Sequence, residues 1–324
     1  HRLGAHEAPP AIVSIFLGDE LTAVVESIIN GTNYTEPEKS LMRVGIDVLP
    51  SIPKDTTDRN RTSPLAFTGN KFEFRMLGSS NSIACANIML NSAVAESLKI
   101  YADRLEAAED FETALQEMIR KTIKDHKNII FNGNGYDDSW IKEATEKRGL
   151  LNYRTTADCV PHLLDKKNVD MLTAHRVFSE AELKSRYEIT LENYCKTIVI
   201  EANTMVNMAK TQIAPAVSAY ATELAKAAAA KQALDETLVC SYESELVKKL
   251  SALTDKIAVK ADALKNALVS LSTVQDIGDE ANAIRDTILV KMSELRVVCD
   301  EAETMTAKKY WPFPTYADLL FGVK

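Results

Sequence analysis

Cysteine pairs, long apolar runs and an excess of positive charge are all missing from this chain of 324 residues. Cys85, Cys159, Cys195, Cys240 and Cys299 are odd in number, widely scattered and never spaced CxxC. That excludes a closed disulfide framework and a zinc site built from ligand pairs, and predicts reduced, mostly packed thiols in a cytoplasmic protein. No apolar run approaches the ~20 residues of a membrane-spanning helix, so no membrane partner is expected. With 38 Lys and Arg against 46 Asp and Glu, net charge is −8 and the pI near 5.3. A nucleic acid is therefore not expected as the partner, because phosphate backbones require clustered basic surface. The start at His1 has neither an initiator Met nor a signal-peptide pattern, which fits a fragment or a processed chain.

What is present suits an ordinary folded protein: 46% hydrophobic and 26% charged residues, at a length suggesting two domains. Gly4 and Pro9-Pro10 make residues 1–10 a loop. AIVSIF (11–16) is a short apolar segment, and Ala23–Ile29 reads as an amphipathic helix stopped at Asn30-Gly31. Residues 32–58 read as irregular, with the strand-like MRVGIDVL inside them. Helical periodicity predicts helices from Ser82 to about Ala108 and over Phe111–Lys127, the second with Leu115, Met118, Ile119 and Ile123 on one face. IIF at 129–131 looks like a strand before a GNG turn, and Asp138–Lys147 is a further helix ended by Gly149. After about Asn152 strand signals and glycine nearly vanish. Long helices are predicted over Ser179–Asp235, kinked at Pro215, over Glu236–Leu271 and over Asp276–Thr306. In the second, Leu246, Leu250, Leu253, Ile257, Ala261 and Leu264 trace an apolar stripe. The aromatic tail from Tyr310 is expected to dock against another part of the protein.

The stretch most suggestive of chemistry is NRTSPLAFTGNKFEFR (60–75). Its last six residues alternate with period two, so Phe72 and Phe74 share one strand face and Lys71, Glu73 and Arg75 share the other. Such a face is either the solvated side of a half-buried strand or a site in which a carboxylate between two cations gathers a metal ion, a phosphate and a substrate carboxylate. The pattern does not choose between these. His126, His162 and His175 lack metal-ligand spacing, and Met205 and Met208 read as packing residues.

NRT followed by the KFEFR strand resembles the catalytic core of glutamine synthetases, and HRLGAHEAPPA (1–11) resembles that family's flap motif. GNKFEFR, IIFNGNGY (129–136) and YWPFPTYADLLF (310–321) are similar to type III members in particular. The resemblance runs the length of the chain, although type III enzymes are far longer. It implies an α+β fold: residues 1–151 as the C-terminal half of a catalytic sheet-and-helix domain, 152–309 as a long-helix domain, and 310–324 as a tail. It also implies ligation of ammonia to glutamate through a γ-glutamyl phosphate, with ATP and Mg²⁺ or Mn²⁺ as cofactors.

Carried over residue by residue, Glu7 matches the flap acid that takes a proton from ammonium, and Arg2 and Arg75 match arginines that hold glutamate. Arg61 matches a phosphate-contacting catalytic arginine, Lys71 a cationic nucleotide-phosphate position, and Glu73 a metal ligand. Lys71 stands where other types carry arginine, which loses the bidentate fork. Ala66 stands where other types carry a further arginine, and the Arg2–Glu7 interval is one residue shorter than in commoner types. The family's remaining metal ligands precede the flap motif, so the chain by itself is expected to be inactive. Self-association into a large ring-shaped homo-oligomer is expected too. Two other readings stay open: a γ-glutamyl ligase using another amine, and a non-catalytic helical assembly module.

Overall fold

The computed structural model describes residues 12–34, 41–42, 52–53, 63–68, 70–75 and 82–322. Its contacts divide the chain into two compact units, residues 1–185 and 186–324.

The first unit is built on a small mixed sheet. Strand β1 (Ile15–Phe16) leads through Leu17 into helix α1 (Gly18–Asn30). A two-residue antiparallel ladder joins β2 (Leu41–Met42) to β3 (Ile52–Pro53), and the rest of MRVGIDVL lies outside the described residues. Strands β4 (Leu65–Phe67) and β5 (Phe72–Phe74) form a hairpin closed by Thr68 N–H donating to Lys71 O at 2.9 Å. β4 lies between the other two strands, parallel to β1 and antiparallel to β5.

Helices α2 (Ala84–Glu106) and α3 (Phe111–His126) follow, α3 packing on α1 and on α2. Asp110 caps α3 by accepting from the amides of Glu112 and Thr113. On α3, Met118 is buried but Ile119 is 39% exposed, so the buried face is narrower than the predicted stripe. The segment IIF forms no strand. A 3₁₀ turn occupies Lys127–Ile129, and only Ile130 bridges β1, with Phe131 N–H donating to Ile15 O at 2.9 Å.

Helix α4 (Asp138–Lys142) widens into a π turn over Glu143–Lys147 and stops at Gly149, whose φ of 67° suits a residue without Cβ. Then come α5 (Thr156–Cys159), a 3₁₀ turn (Val160–Leu164) and α6 (Lys166–Ala174), which packs on α2.

Helix α7 (Glu180–Met208) passes through a π turn (Ala209–Ile213) into α8 (Ala214–Leu234). The π turn falls just before Pro215, which has no N–H to donate to the ladder, so the α-helical ladder is interrupted there, as expected, and resumes as α8. It ends at Leu234 because the Asp235 carboxylate accepts from Thr237 N–H and Oγ, turning the chain. The next helix, α9 (Ser241–Leu271), consequently starts later than predicted. Helix α10 (Ile277–Ala283) is capped by Asp276 and continues through a π turn (Ile284–Ile288) into α11 (Leu289–Met305). Lys231 of α8 pairs with Glu243 near the start of α9, and Lys210 of the preceding π turn pairs with Asp262 further along it, so the two helices run antiparallel. The Lys260–Glu294 pair ties α9 to α11.

On α9, Glu243, Leu250, Ile257, Leu264 and Leu271 recur every seven residues and are all buried. That repeat keeps one seam facing the neighbouring helices, as in a coiled coil. The tail turns back on this unit: the Tyr310 ring lies 5.3 Å from that of Tyr220, before a final short helix α12 (Tyr316–Phe321). No described helix is long and apolar enough to cross a membrane.

Candidate functional site

The candidate residues Arg2, Glu7 and Arg61 lie outside the described residues; Glu73 is described on β5, with Lys71 and Arg75 immediately flanking the strand. In the hairpin, Glu73 pairs with Ala66, Phe74 with Leu65 and Phe72 with Phe67. Residues paired across strands project to the same face, so Glu73 shares its face with Ala66 and, through the parallel pair Phe16–Ala66, with Phe16. Ala66 has no exposed surface, and Phe72 on the opposite face is 53% exposed. Burial therefore does not follow the alternation: Ala66 is buried beside Glu73, while Lys71 on that face is 66% exposed and Phe74 on the other is half-buried.

Each carboxylate oxygen of Glu73 has its own cation. Arg75 donates to Oε2 through Nε at 3.3 Å and Nη2 at 3.0 Å, and Lys71 Nζ stands 3.4 Å from Oε1. The Arg75 side chain is only 13% exposed, against 66% for Lys71 and 38% for Glu73. These donors, Arg75 foremost and Lys71 next, outweigh partial desolvation and hold the Glu73 carboxyl below its usual range. The result is a hard, ionised oxygen donor fixed between two cations, one firmly held and one at the surface.

This donor chemistry fits a single ligand to Mg²⁺ or Mn²⁺. Among the described residues no group of three or more His, Cys, Asp or Glu could hold an ion. His162 pairs with Asp165 at 2.9 Å and stacks on Tyr153, and His175 bonds Glu96 at 2.7 Å. Both contacts are local or join α2 to the end of α6.

Sequence reading missed the residues that hold the sheet carrying Glu73. Asn132, in IIFNGNGY, turns its amide to α1: Oδ1 accepts from Leu17 and Gly18 N–H at 3.0 and 3.1 Å, and Nδ2 donates to Thr22 Oγ1 at 2.8 Å. It therefore caps, from a distance, a helix that has no side-chain cap of its own. Arg148 grips the same segment. It donates to the Ile130 carbonyl at 2.8 Å and to Glu143 Oε1 at 2.6 and 2.8 Å. Its guanidinium also covers Phe131 and Trp140, whose rings are stacked 3.6 Å apart. Gly133 leaves room for this stack, since a Cβ there would come within 2.8 Å of the Phe131 ring. No local pattern distinguishes Asn132 or Arg148 from ordinary polar residues, because both act on partners distant in sequence.

A family model described as the glutamine synthetase C-terminal domain matches residues 114–232. Over 328 residues the chain is 36% identical to the type-3 glutamine synthetase of Dictyostelium discoideum, covering 99% of this chain and 44% of that protein. It is 37% identical to a glutamine synthetase of Butyrivibrio fibrisolvens (100% and 46% covered) and 35% identical to one of Bacteroides fragilis (99% and 45%). The chain thus spans somewhat under half the length of these relatives.

Proposed function

Because the chain belongs to the glutamine synthetase family, we propose that it is part of an ATP-dependent glutamate–ammonia ligase working through γ-glutamyl phosphate. The observation carrying this reading is the ionised Glu73 held between Lys71 and Arg75 on a strand of the sheet. A solvated strand face would not need to bury Arg75 to hold one carboxylate.

In this reading Glu73 is one ligand of a divalent cation, which when bound neutralises the phosphate charge gathered at the site. Lys71 and Arg61 bind phosphate oxygens, Arg61 countering charge that develops on the transferred group. Arg2 and Arg75 hold the glutamate. Glu7 accepts a proton from ammonium, and closure of its loop excludes water that would hydrolyse the acyl phosphate. The complete protein self-associates as a ring. In this reading the chain by itself is inactive, because a divalent cation takes about six oxygen ligands and Glu73 supplies one.

The test is to exchange residues 1–324 for the matching part of the Dictyostelium enzyme and measure glutamine formation. The chimera is expected to turn over and its Glu73→Ala variant to lose about 10²-fold or more in kcat, several kcal/mol of charge stabilisation. A folded chimera without activity, or one indifferent to Glu73→Ala, refutes the reading. Detectable γ-glutamyl hydroxamate from the chain alone refutes its inactivity.

A further inference from the structure

Between the end of α9 and the start of α11, the unit of residues 186–324 holds an open groove of about 550 Å³. Small side chains make it: Ala263 and Ala267 of α9 and Ala283 of α10 line it, together with the buried Leu271 and Ile288. From Ala263 to Leu271 the helix rises about 12 Å. Three polar side chains line the groove as well, Asn266, Thr287 and Lys291, and the fold leaves all three without work. Elsewhere in this unit Thr204, Thr211, Thr222 and Thr254 each donate to a carbonyl four residues back. The hydroxyl of Thr287 and the side-chain amide of Asn266 bond to nothing among the described residues. Lys291 is half-buried and has no carboxylate within ion-pair distance among the described residues. Its acidic neighbours are taken, Glu294 by Lys260 at 2.8 Å and Asp286 by Arg285 at 2.7 Å.

We propose that this groove binds a small amphipathic acid, with its hydrocarbon body along Ala263, Ala267 and Leu271 and its carboxylate bonded by Lys291. The volume falls within the range of about 300–1,000 Å³ in which proteins hold small molecules between apolar walls and a few placed polar groups. Charge selects the class of ligand. A cation would be repelled by Lys291, and a neutral hydrocarbon would take water from the ammonium and leave it unpaired, which is costly. An acid satisfies both halves of the groove. Its carboxylate offers about four lone-pair sites, against three donors on the ammonium, two on the Asn266 amide and one on the Thr287 hydroxyl. A bond from an ammonium to a carboxylate is also stronger than one between neutral groups. The groove shares no residue with the strand that carries Glu73, so the inference goes beyond the ligase reading and does not rest on it.

Isothermal titration calorimetry of the full chain tests it, with octanoate as the probe and 1-octanol as the uncharged control. Octanoate should saturate a single site and bind about tenfold more tightly than octanol. Lys291→Met keeps most of the aliphatic stem and should weaken octanoate by about tenfold while leaving octanol unchanged. Ala267→Leu puts a larger side chain into the groove and should weaken both by about tenfold or more. Octanoate bound no better than octanol, or only at many weak sites, overturns the proposal. So does a Lys291→Met chain that binds octanoate like the parent, or an Ala267→Leu chain that keeps its helical circular dichroism and its full affinity. Should Ala267→Leu disturb the helices, Lys291→Met still decides, because Lys291 makes no ion pair whose loss could unfold the unit. An inactive chimera leaves this proposal standing.

Discussion

Replacing Arg148 by methionine keeps most of the aliphatic stem and removes the guanidinium, and the structure sets the cost. The Ile130 carbonyl loses a donor at 2.8 Å in a partly buried place, about 1 kcal/mol. Removing the cation from above the stacked Phe131 and Trp140 costs about another 1 kcal/mol. The bond pair to Glu143 adds only a few tenths of a kcal/mol, because that carboxylate is 40% exposed and rehydrates. The total is about 2–3 kcal/mol, or a fall of about 4–12 °C in Tm for a unit of this size. Because the chain has two compact units, the probe must be local. Trp140 is 2% exposed and beneath the guanidinium, so its fluorescence in a Trp311→Phe background follows the first unit alone. Urea unfolding should show the midpoint lowered for Arg148→Met and intermediate for Arg148→Lys, which keeps the charge but loses the fork. An Arg148→Met variant within about 0.5 kcal/mol of the parent would falsify the view that this residue latches the sheet edge.

Two further outcomes follow from the same region. Gly133→Ala should push Phe131 off Trp140, because the new Cβ meets the ring at under 3 Å. Near-ultraviolet circular dichroism should lose its Trp140 band and stability should drop by about 1–3 kcal/mol, whereas an unchanged spectrum would count against the packing described. Glu73 should titrate below the ordinary 4.5, by carboxyl-resolved NMR, and move back up in Arg75→Gln. Its folded pKa is depressed, so its stabilisation is present above the unfolded value and is lost as pH falls through the folded one. A midpoint at or above 4.5 would show that Arg75 does not hold the carboxylate.

The helices were legible in the sequence because their signals are local. The apolar stripe of α9, the Gly31 stop of α1, the Asp276 start of α10 and the Gly149 end after α4 each depend on residues within a turn or two. The alternation in NKFEFR likewise determined that Lys71, Glu73 and Arg75 share a face, since period two follows from strand geometry. Which face is buried was not legible. That depends on β4 supplying Ala66 opposite Glu73, and on β1 pairing with β4 across some fifty residues. The end expected at Asp235 falls at Leu234, but the start of α9, expected at Glu236, lies at Ser241 because the Asp235 carboxylate, bonding Thr237, turns a sequence that otherwise continues with helical propensity. Helix periodicity and strand alternation come from backbone geometry that every residue carries with it. The burial of Arg75, the remote cap from Asn132 and the grip of Arg148 on Ile130 exist only when distant segments meet, so tertiary structure alone decided them.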